Sequence, residues 1–303
     1  MSNLSFQNII SALTNNGYKV NRFIFSTKGN YSQIDCDWNY KDILHLDTIH
    51  GVIKSHILCQ IGKKSASYIA FQKLPFVGIK IPLSILVYEH SPFNHVHVSN
   101  IGPIIMVSNV KMNENGKQTI VDTEYAIGTK GVFNFFSNPL KKLILKNAKQ
   151  LLIEDTPLRE RRTQLREAGH DFIKQGETYD FDRSQIISQN NVTLIKGTTS
   201  KVTVSVSEII KNKPNTIGTK MGILSFFLIY NQKIQIWPTT CPHEGANIKK
   251  NLINNGQITC PWHGRKIKPI IELSYDGKII STDEKVYKIK KLQDNLEILF
   301  NNY

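Results

Sequence analysis

Cysteine is scarce in this chain. Cys36, Cys59, Cys241 and Cys260 are the only four in 303 residues, which excludes a dense disulfide framework. Long apolar runs are also missing. The longest, MGILSFFLIY at 221–230, is too short to span a bilayer and reads as a buried strand. The N-terminal MSNLSFQNIISALTNNGYKV has no basic stretch leading into a long apolar core, so no secretory signal and a cytoplasmic setting are expected. There is no internal repeat, no low-complexity tract beyond a Lys/Asn bias, and no glycine fingerprint for a nucleotide or flavin. Acid is in deficit, with 24 Asp and Glu against 38 Lys and Arg and a net charge of +14. The basic residues form no long tract, so a compositional habit explains them better than nucleic-acid binding does, although an acidic protein partner would also be attracted.

What is present divides in two. From about Tyr31 to Ile127 the runs YSQIDCDW, KSASYIAF, FVGIKIPLSILVYE, HVHVSN, PIIMVSNVKM and TIVDTEYAI are strand-like, and MNENGK (112–117) is a hairpin turn. Ser137-Asn138-Pro139 opens a helix that continues through LKKLILKNAKQLLIED with one basic face. Pro157 is expected to interrupt it, LRERRTQLREAG to resume it and Gly169 to end it. Polar residues 170–195 read as a linker, and from about 200 strands dominate again: KVTVSVSEI, ILSFFLIY, KIQIWP, QITC, KIKPIIELS, KVYKIKKL and LEILF. The expected fold class is therefore α+β. A helix-grip antiparallel sheet closed by a long helix would occupy 1–190 and enclose an apolar cavity, with Phe71, Phe76, Ile81 and Phe93 as candidate walls; a small all-β domain would occupy 191–303.

Two Cys/His pairs stand in the second domain. Cys241-x-His243 is followed, after sixteen intervening residues, by Cys260-x-x-His263. Two thiolates and two imidazoles suit tetrahedral zinc, and equally a two-iron cluster that shares them between its irons. The surrounding residues favour the second. CPHEGA and CPWHGR closely resemble the two cluster loops of Rieske proteins, which implies a [2Fe–2S] centre bound by Cys241, His243, Cys260 and His263. Respiratory Rieske proteins resemble CTHLGC…CPCHGS. Ala246 and Trp262 stand here at the positions of the extra cysteines and Arg265 at that of the serine, which implies a lower-potential cluster of the ferredoxin and oxygenase type.

A second motif lies upstream in DWNYKDILHLDTIHG (37–51), where Asp42, His45 and His50 form Asp-x-x-His-x-x-x-x-His. Two imidazoles and one carboxylate on one face of Fe(II) make the facial triad of non-haem oxygenases. The stretch resembles the mononuclear-iron motif of the Rieske non-haem iron oxygenase family, including the Asn39 that precedes the Asp. By that resemblance His45 and His50 are ligands of a mononuclear Fe(II), Asp42 hydrogen-bonds a ligand histidine and connects it to the incoming cluster, and Asp155 of Glu154-Asp155 supplies the third ligand. It further implies a START-like helix-grip catalytic domain, an NAD(P)H-dependent reductase or ferredoxin as electron source, O₂ with a small apolar or aromatic substrate, and a trimer. No nucleic-acid partner and no membrane span are expected. The chain departs from the family in order, with its Rieske domain last, and in a short span from His50 to Asp155. A second reading is a non-enzymatic Rieske ferredoxin fused to a ligand-binding domain; a third, a zinc-bearing basic nucleic-acid binder, would be colourless. His95 and His97, two apart on a strand of a segment that also holds Glu89 and His90, would point to one side, toward the cavity or an alternative metal site.

Overall fold

The computed structural model describes residues 5–73, 80–172, 179–182, 196–197, 201–218, 224–284 and 286–300. The candidate wall residue Phe76, the start of the apolar run at 221–223 and most of the expected linker lie outside these. Two compact units form: residues 1–160 with 175–191, and residues 161–174 with 192–303.

The first unit begins with helix α1 (Phe6–Asn15), capped by Ser5, whose hydroxyl accepts from the Asn8 amide. Phe6, Ile10 and Leu13 recur at helical spacing and pack with Val96, Val107 and Ala126 of the sheet. Strand β1 (Lys19–Gly29) follows, then β2 (Ile53–Ile61), β3 (Ser65–Lys73), β4 (Lys80–Ser91), β5 (Asn94–Ile101), β6 (Ile104–Asn115) and β7 (Gln118–Thr129). They form one antiparallel sheet of order β1-β7-β6-β5-β4-β3-β2. The β6–β7 hairpin turns at Gly116 and Lys117, with Gly116 at φ 63°.

Strands β1 and β2 are consecutive in sequence yet occupy opposite edges of the sheet. Residues 30–52 must therefore cross it, and they do so as helix α2 (Gln33–Lys41), a 3₁₀ turn (Ile43–His45) and a one-turn helix α3 (Leu46–Ile49). This corrects the strand expected at YSQIDCDW. Ser32 caps α2 by accepting from the Asp35 amide at 3.2 Å, and the buried run Asp35–Asn39 is too polar for a strand in a sheet core. Buried charges fix α2 in place: Lys41 Nζ lies 3.1 Å from Asp37 Oδ2 and 3.2 Å from Glu89 Oε1, and His95 Nε2 lies 2.7 Å from Asp37 Oδ1.

Helix α4 (Ser137–Glu167) runs unbroken through Pro157, contrary to the expected interruption. A proline costs a helix interior about 3 kcal/mol. Burial of Asp155, Leu158, Arg159 and Arg162 around it gives the helix packing that offsets this cost. Its residues from Arg161 onward cluster with the second unit. No helix among the described residues is long and apolar enough to cross a membrane.

The second unit is mainly short antiparallel strands, including a five-stranded sheet that contains Ser225–Asn231, Lys233–Pro238 and Ile271–Leu273. The expected strand KVTVSVSEI is a strand only at Val202–Ser205. Ser205 then accepts from the Glu208 amide and caps a helix over Val206–Asn212.

Candidate metal centres

In the second unit the two Cys/His segments fold as twin loops. The Cys241 amide donates to Ala246 O at 2.8 Å and the Gly245 amide to Cys241 O at 3.0 Å. The other loop repeats this, Cys260 amide to Arg265 O at 2.7 Å and Gly264 amide to Cys260 O at 2.9 Å. Both glycines have positive φ, 93° at Gly245 and 65° at Gly264, so each loop turns back on itself and presents its Cys and His together. The His243 and His263 rings meet edge-on with centroids 5.1 Å apart. Across the loops the Cys241 and Cys260 thiols interact; this contact, with burial, holds the Cys241 thiol high, and the same contact, with His263, outweighs burial and draws Cys260 down to about 6. Two thiols competing for one proton, beside two imidazoles, is a donor set that fits a sulfide-bridged iron pair.

The end of α4 grips the first loop. Arg162, fully buried, pairs with Glu244 and stacks on the Phe172 ring at 3.9 Å. Arg161 donates to Thr240 Oγ1 at 2.9 Å and to Gly245 O at 3.4 Å. A Cβ on Gly245 would lie 2.5 Å from Leu165 Cδ1, so only glycine allows the loop this close.

The upstream residues also converge. His45 ends the 3₁₀ turn and His50 caps the C-terminus of α3, while Asp155 projects from α4. His45 Nε2 lies 3.2 Å from His50 Nε2 and 3.3 Å from Asp155 Oδ1, and His50 Nε2 lies 3.4 Å from the same oxygen. Donors bound to one ion at about 2.0–2.1 Å stand roughly 3.0–3.4 Å apart, so this triangle has the edges of a metal-binding face. All three residues are buried.

The outer partners decide the protonation. His50 Nδ1 faces Glu154 Oε2 at 2.9 Å and His45 Nδ1 faces Asp42 Oδ2 at 3.4 Å. A carboxylate can only accept, so the His50 ring carries a proton on Nδ1, and both rings aim Nε2 inward. Asp155 is oriented the same way. Arg159 Nε donates to Asn39 Oδ1 at 2.8 Å, which fixes the amide so that Asn39 Nδ2 donates to Asp155 Oδ1 at 3.2 Å, and Arg159 Nη2 reaches Asp155 Oδ2 at 3.4 Å. Three donor atoms thus face one another in a buried site that favours positive charge, carried by a proton on His45 until a cation displaces it. Burial alone would lower the pKa of His45, but Asp155 and Asp42 outweigh it and raise it to about 10. Burial would raise that of Asp155, but His45 and Arg159 outweigh it and hold it below the usual carboxylate range. The residues fit a mononuclear cation.

His45, His50, Asp155, Asp42 and Asn39 line one wall of a cavity of about 330 Å³, a size suited to a small ligand. The rest is mostly apolar, with Ile43, Ile53, Ile81, Leu83, Leu143 and Leu151 among its walls. Ile81 lines it as expected; Phe71 does not, and Phe93 packs instead against a core cluster of Tyr31, Cys36 and Val110. His97 lines it too, while His95 is turned to Asp37 and His90 is exposed. The His97 Nε2 is buried without a hydrogen-bond partner, and burial, with His95 nearby, pushes its pKa down to about 3. Sequence reasoning missed Arg159, Glu154 as the partner of His50, and Arg162. The first had a visible signal, since Asp155 and Arg159 are i,i+4 on one helix face; Arg162–Glu244, 82 residues apart, had none.

Fold and sites together define a two-unit protein, one unit a sheet-and-helix grip around a cavity and the other a β unit with twin Cys/His loops. Residues 200–282 match the Rieske [2Fe-2S] domain family, so the second unit carries a Rieske domain and a redox role. No curated protein matches the chain. Among solved structures, the di-domain aromatase/cyclase BexL from the BE-7585A biosynthetic pathway is 8% identical, with 50% of this chain covered and a TM-score of 0.44; the chain spans 53% of that structure. The Zhui aromatase/cyclase from Streptomyces sp. R1128 is 9% identical over 48% of this chain and 96% of its own, with a TM-score of 0.42. A START superfamily protein from Mycobacterium smegmatis is 10% identical over 48% and 98%, with a TM-score of 0.39.

Proposed function

We propose that the protein is a Rieske-type oxygenase that uses O₂ and electrons from NAD(P)H, delivered by a separate reductase or ferredoxin, to oxidise an apolar or aromatic small molecule held in the cavity. One observation carries the reading: three convergent donor atoms, His45 Nε2, His50 Nε2 and Asp155 Oδ1, open onto an apolar cavity in a chain that also carries a Rieske domain. Two imidazoles and a carboxylate suit Fe(II) with coordination positions left free, and bound there it would activate O₂ with electrons relayed by the cluster.

The residues around the site have separable tasks. Glu154 holds the His50 proton on Nδ1, and the Asp42 carboxylate faces His45 Nδ1, so that both Nε2 atoms point at the site. His45 and Arg159 hold Asp155 ionised, and Asn39 and Arg159 keep it pointed inward. The aliphatic wall excludes water from the reacting region. His97, neutral and unpartnered, is the polar group that would orient the substrate, which makes the substrate an apolar molecule bearing one hydrogen-bonding group such as a carbonyl or hydroxyl.

Iron quantification with O₂ electrode measurements tests this. The oxygenase contains about three irons per chain and consumes O₂ when reductant and substrate are both present. A chain with about two irons, unaltered by His45→Ala, is instead an electron carrier fused to a ligand-binding unit, and the oxygenase reading fails.

A further inference from the structure

Between Glu124 and Glu154 the chain has no acidic residue, yet it has five lysines, at 130, 141, 142, 146 and 149. The 3₁₀ turn Gly131–Phe136 sits inside this stretch and is unusually bare. Val132 is 72% exposed, Phe135 86% and Phe136 53%. Three large apolar side chains presented within five residues are more than the scattered exposure a surface normally carries. Phe133, half-buried, packs against Phe136 with ring centroids 6.3 Å apart.

The helix that follows continues the pattern. Lys142, Lys146, Lys149 and Ile153 are all exposed and recur at spacings of four, three and four, which is one face of α4. The other side of the same turns carries Leu140, Leu143, Ile144 and Leu151 into the cavity wall. One surface therefore combines an aromatic tip, a lysine face without compensating acid, and the back of a wall that encloses apolar space.

We propose that the turn Val132–Phe136 and the lysine face of α4 dock the protein on an anionic lipid surface, Phe135 and Phe136 entering the headgroup boundary and Lys142, Lys146 and Lys149 facing the lipid phosphates and carboxylates. Charge decides among occupants. A second copy would set one acid-free lysine face against another and be repelled, whereas an anionic bilayer offers negative charge and an apolar layer together. Docking in this pose sets the α4 wall of the cavity at the boundary where apolar molecules concentrate. The inference rests on the surface alone and stands or falls apart from the iron chemistry.

The test is flotation of the full chain with vesicles of phosphatidylcholine, with and without 30% phosphatidylserine, at about 0.1 M salt. Binding to the anionic vesicles and little to the neutral ones is expected. Phe135→Ser with Phe136→Ser lowers the anionic-vesicle affinity about tenfold or more. Lys142→Glu with Lys146→Glu lowers it about 25-fold or more, each lysine near the surface being worth about fivefold. Lys288→Glu with Lys290→Glu, an equal charge change at exposed residues of the strand Tyr287–Leu292, leaves it unchanged. No binding to anionic vesicles overturns the proposal. So does binding that the phenylalanine pair does not affect or that the Lys288/Lys290 pair weakens equally, since either result means adsorption by net charge. Sedimentation velocity on the same variants covers the remaining occupant: self-association abolished by Phe135→Ser/Phe136→Ser, without vesicle binding, assigns the surface to a second copy.

Discussion

Replacing His50 by alanine removes one of the three convergent donors while disturbing the metal-free unit little. Glu154, left without its imidazole, still accepts from Gln150 Nε2 at 2.8 Å and from the Gly51 amide at 3.3 Å. With those partners kept, the metal-free variant is expected within about 2 kcal/mol of the parent. With metal the two diverge. Losing a partner outside the donor set typically weakens a site 10- to 100-fold, so losing a donor weakens it at least about 100-fold. At a free metal concentration of about 1,000 times the parent Kd, binding stabilises the parent by about 4 kcal/mol; the variant, then at about 10 times its own Kd, gains about 1.4 kcal/mol. The difference of roughly 2.7 kcal/mol corresponds to about 5–10 °C in Tm for a unit of this size. The assay is anaerobic thermal unfolding of the cluster-containing chain over an Fe(II) titration, with metal counted after dialysis. The reasoning fails if Fe(II) does not stabilise the parent, or if His50→Ala retains the full stabilisation.

Glu154→Gln, which can no longer compel the His50 proton onto Nδ1, should weaken metal binding by about 10- to 100-fold while the visible spectrum of the cluster stays that of the parent. Gly245→Ala should cost about 1–3 kcal/mol and reduce the cluster absorbance retained per chain, because a Cβ meets Leu165 Cδ1 at 2.5 Å at a φ of 93°. Gly116→Ala, also at positive φ but with open space around its Cβ, separates backbone strain from this collision, and equal cluster loss in both would refute the packing account. His97 has its folded pKa depressed to about 3, so below an unfolded value of about 6.5 the unfolded chain binds the extra proton. Its contribution is whole above that pH and is lost as pH falls toward 3, at up to about 1.4 kcal/mol per unit. His97→Gln should therefore flatten the fall of stability between pH 6 and pH 4 in denaturant titrations, and an unchanged slope would count against a neutral buried imidazole.

The two candidate sites are unequally legible in the sequence. The twin loops are local: Cys, His and Gly stand within five residues of one another, and the sequence carries nearly the whole of each turn. His45 and His50 were readable for the same reason. Asp155 lies 105 residues from His50, and only the sheet crossover and α4 bring it near, so spacing alone could name it but not position it. The alternating runs of β4 to β7 were plain because one side of each packs on the core. The start of helix α2 looks like a strand because Tyr31, Ile34 and Trp38 are β-compatible and stand out over the Ser32 cap and the acidic first turn. Helix α1 and strand β1 went unassigned, although Ser5 and the Phe6, Ile10, Leu13 spacing carry a helix signal. Arg162–Glu244 and Lys41–Glu89 depend on distant chain segments and left no local trace.

The alternation of chain segments between the two units bears on how this protein can be taken apart. Residues 161–174 cluster with the unit formed by 192–303, while 175–191 return to the unit formed by 1–160. No single cut yields two intact pieces. A fragment beginning at 192 would retain both Cys/His loops but lose Arg161, Arg162, Leu165 and Phe172, leaving Glu244 without its guanidinium and Gly245 without its neighbour. A fragment ending at 191 would keep those residues with nothing to cover them. An isolated cluster-bearing piece must therefore start at or before Arg161, and failure of a shorter one to hold its cluster would reflect the missing helix end, not weak ligands.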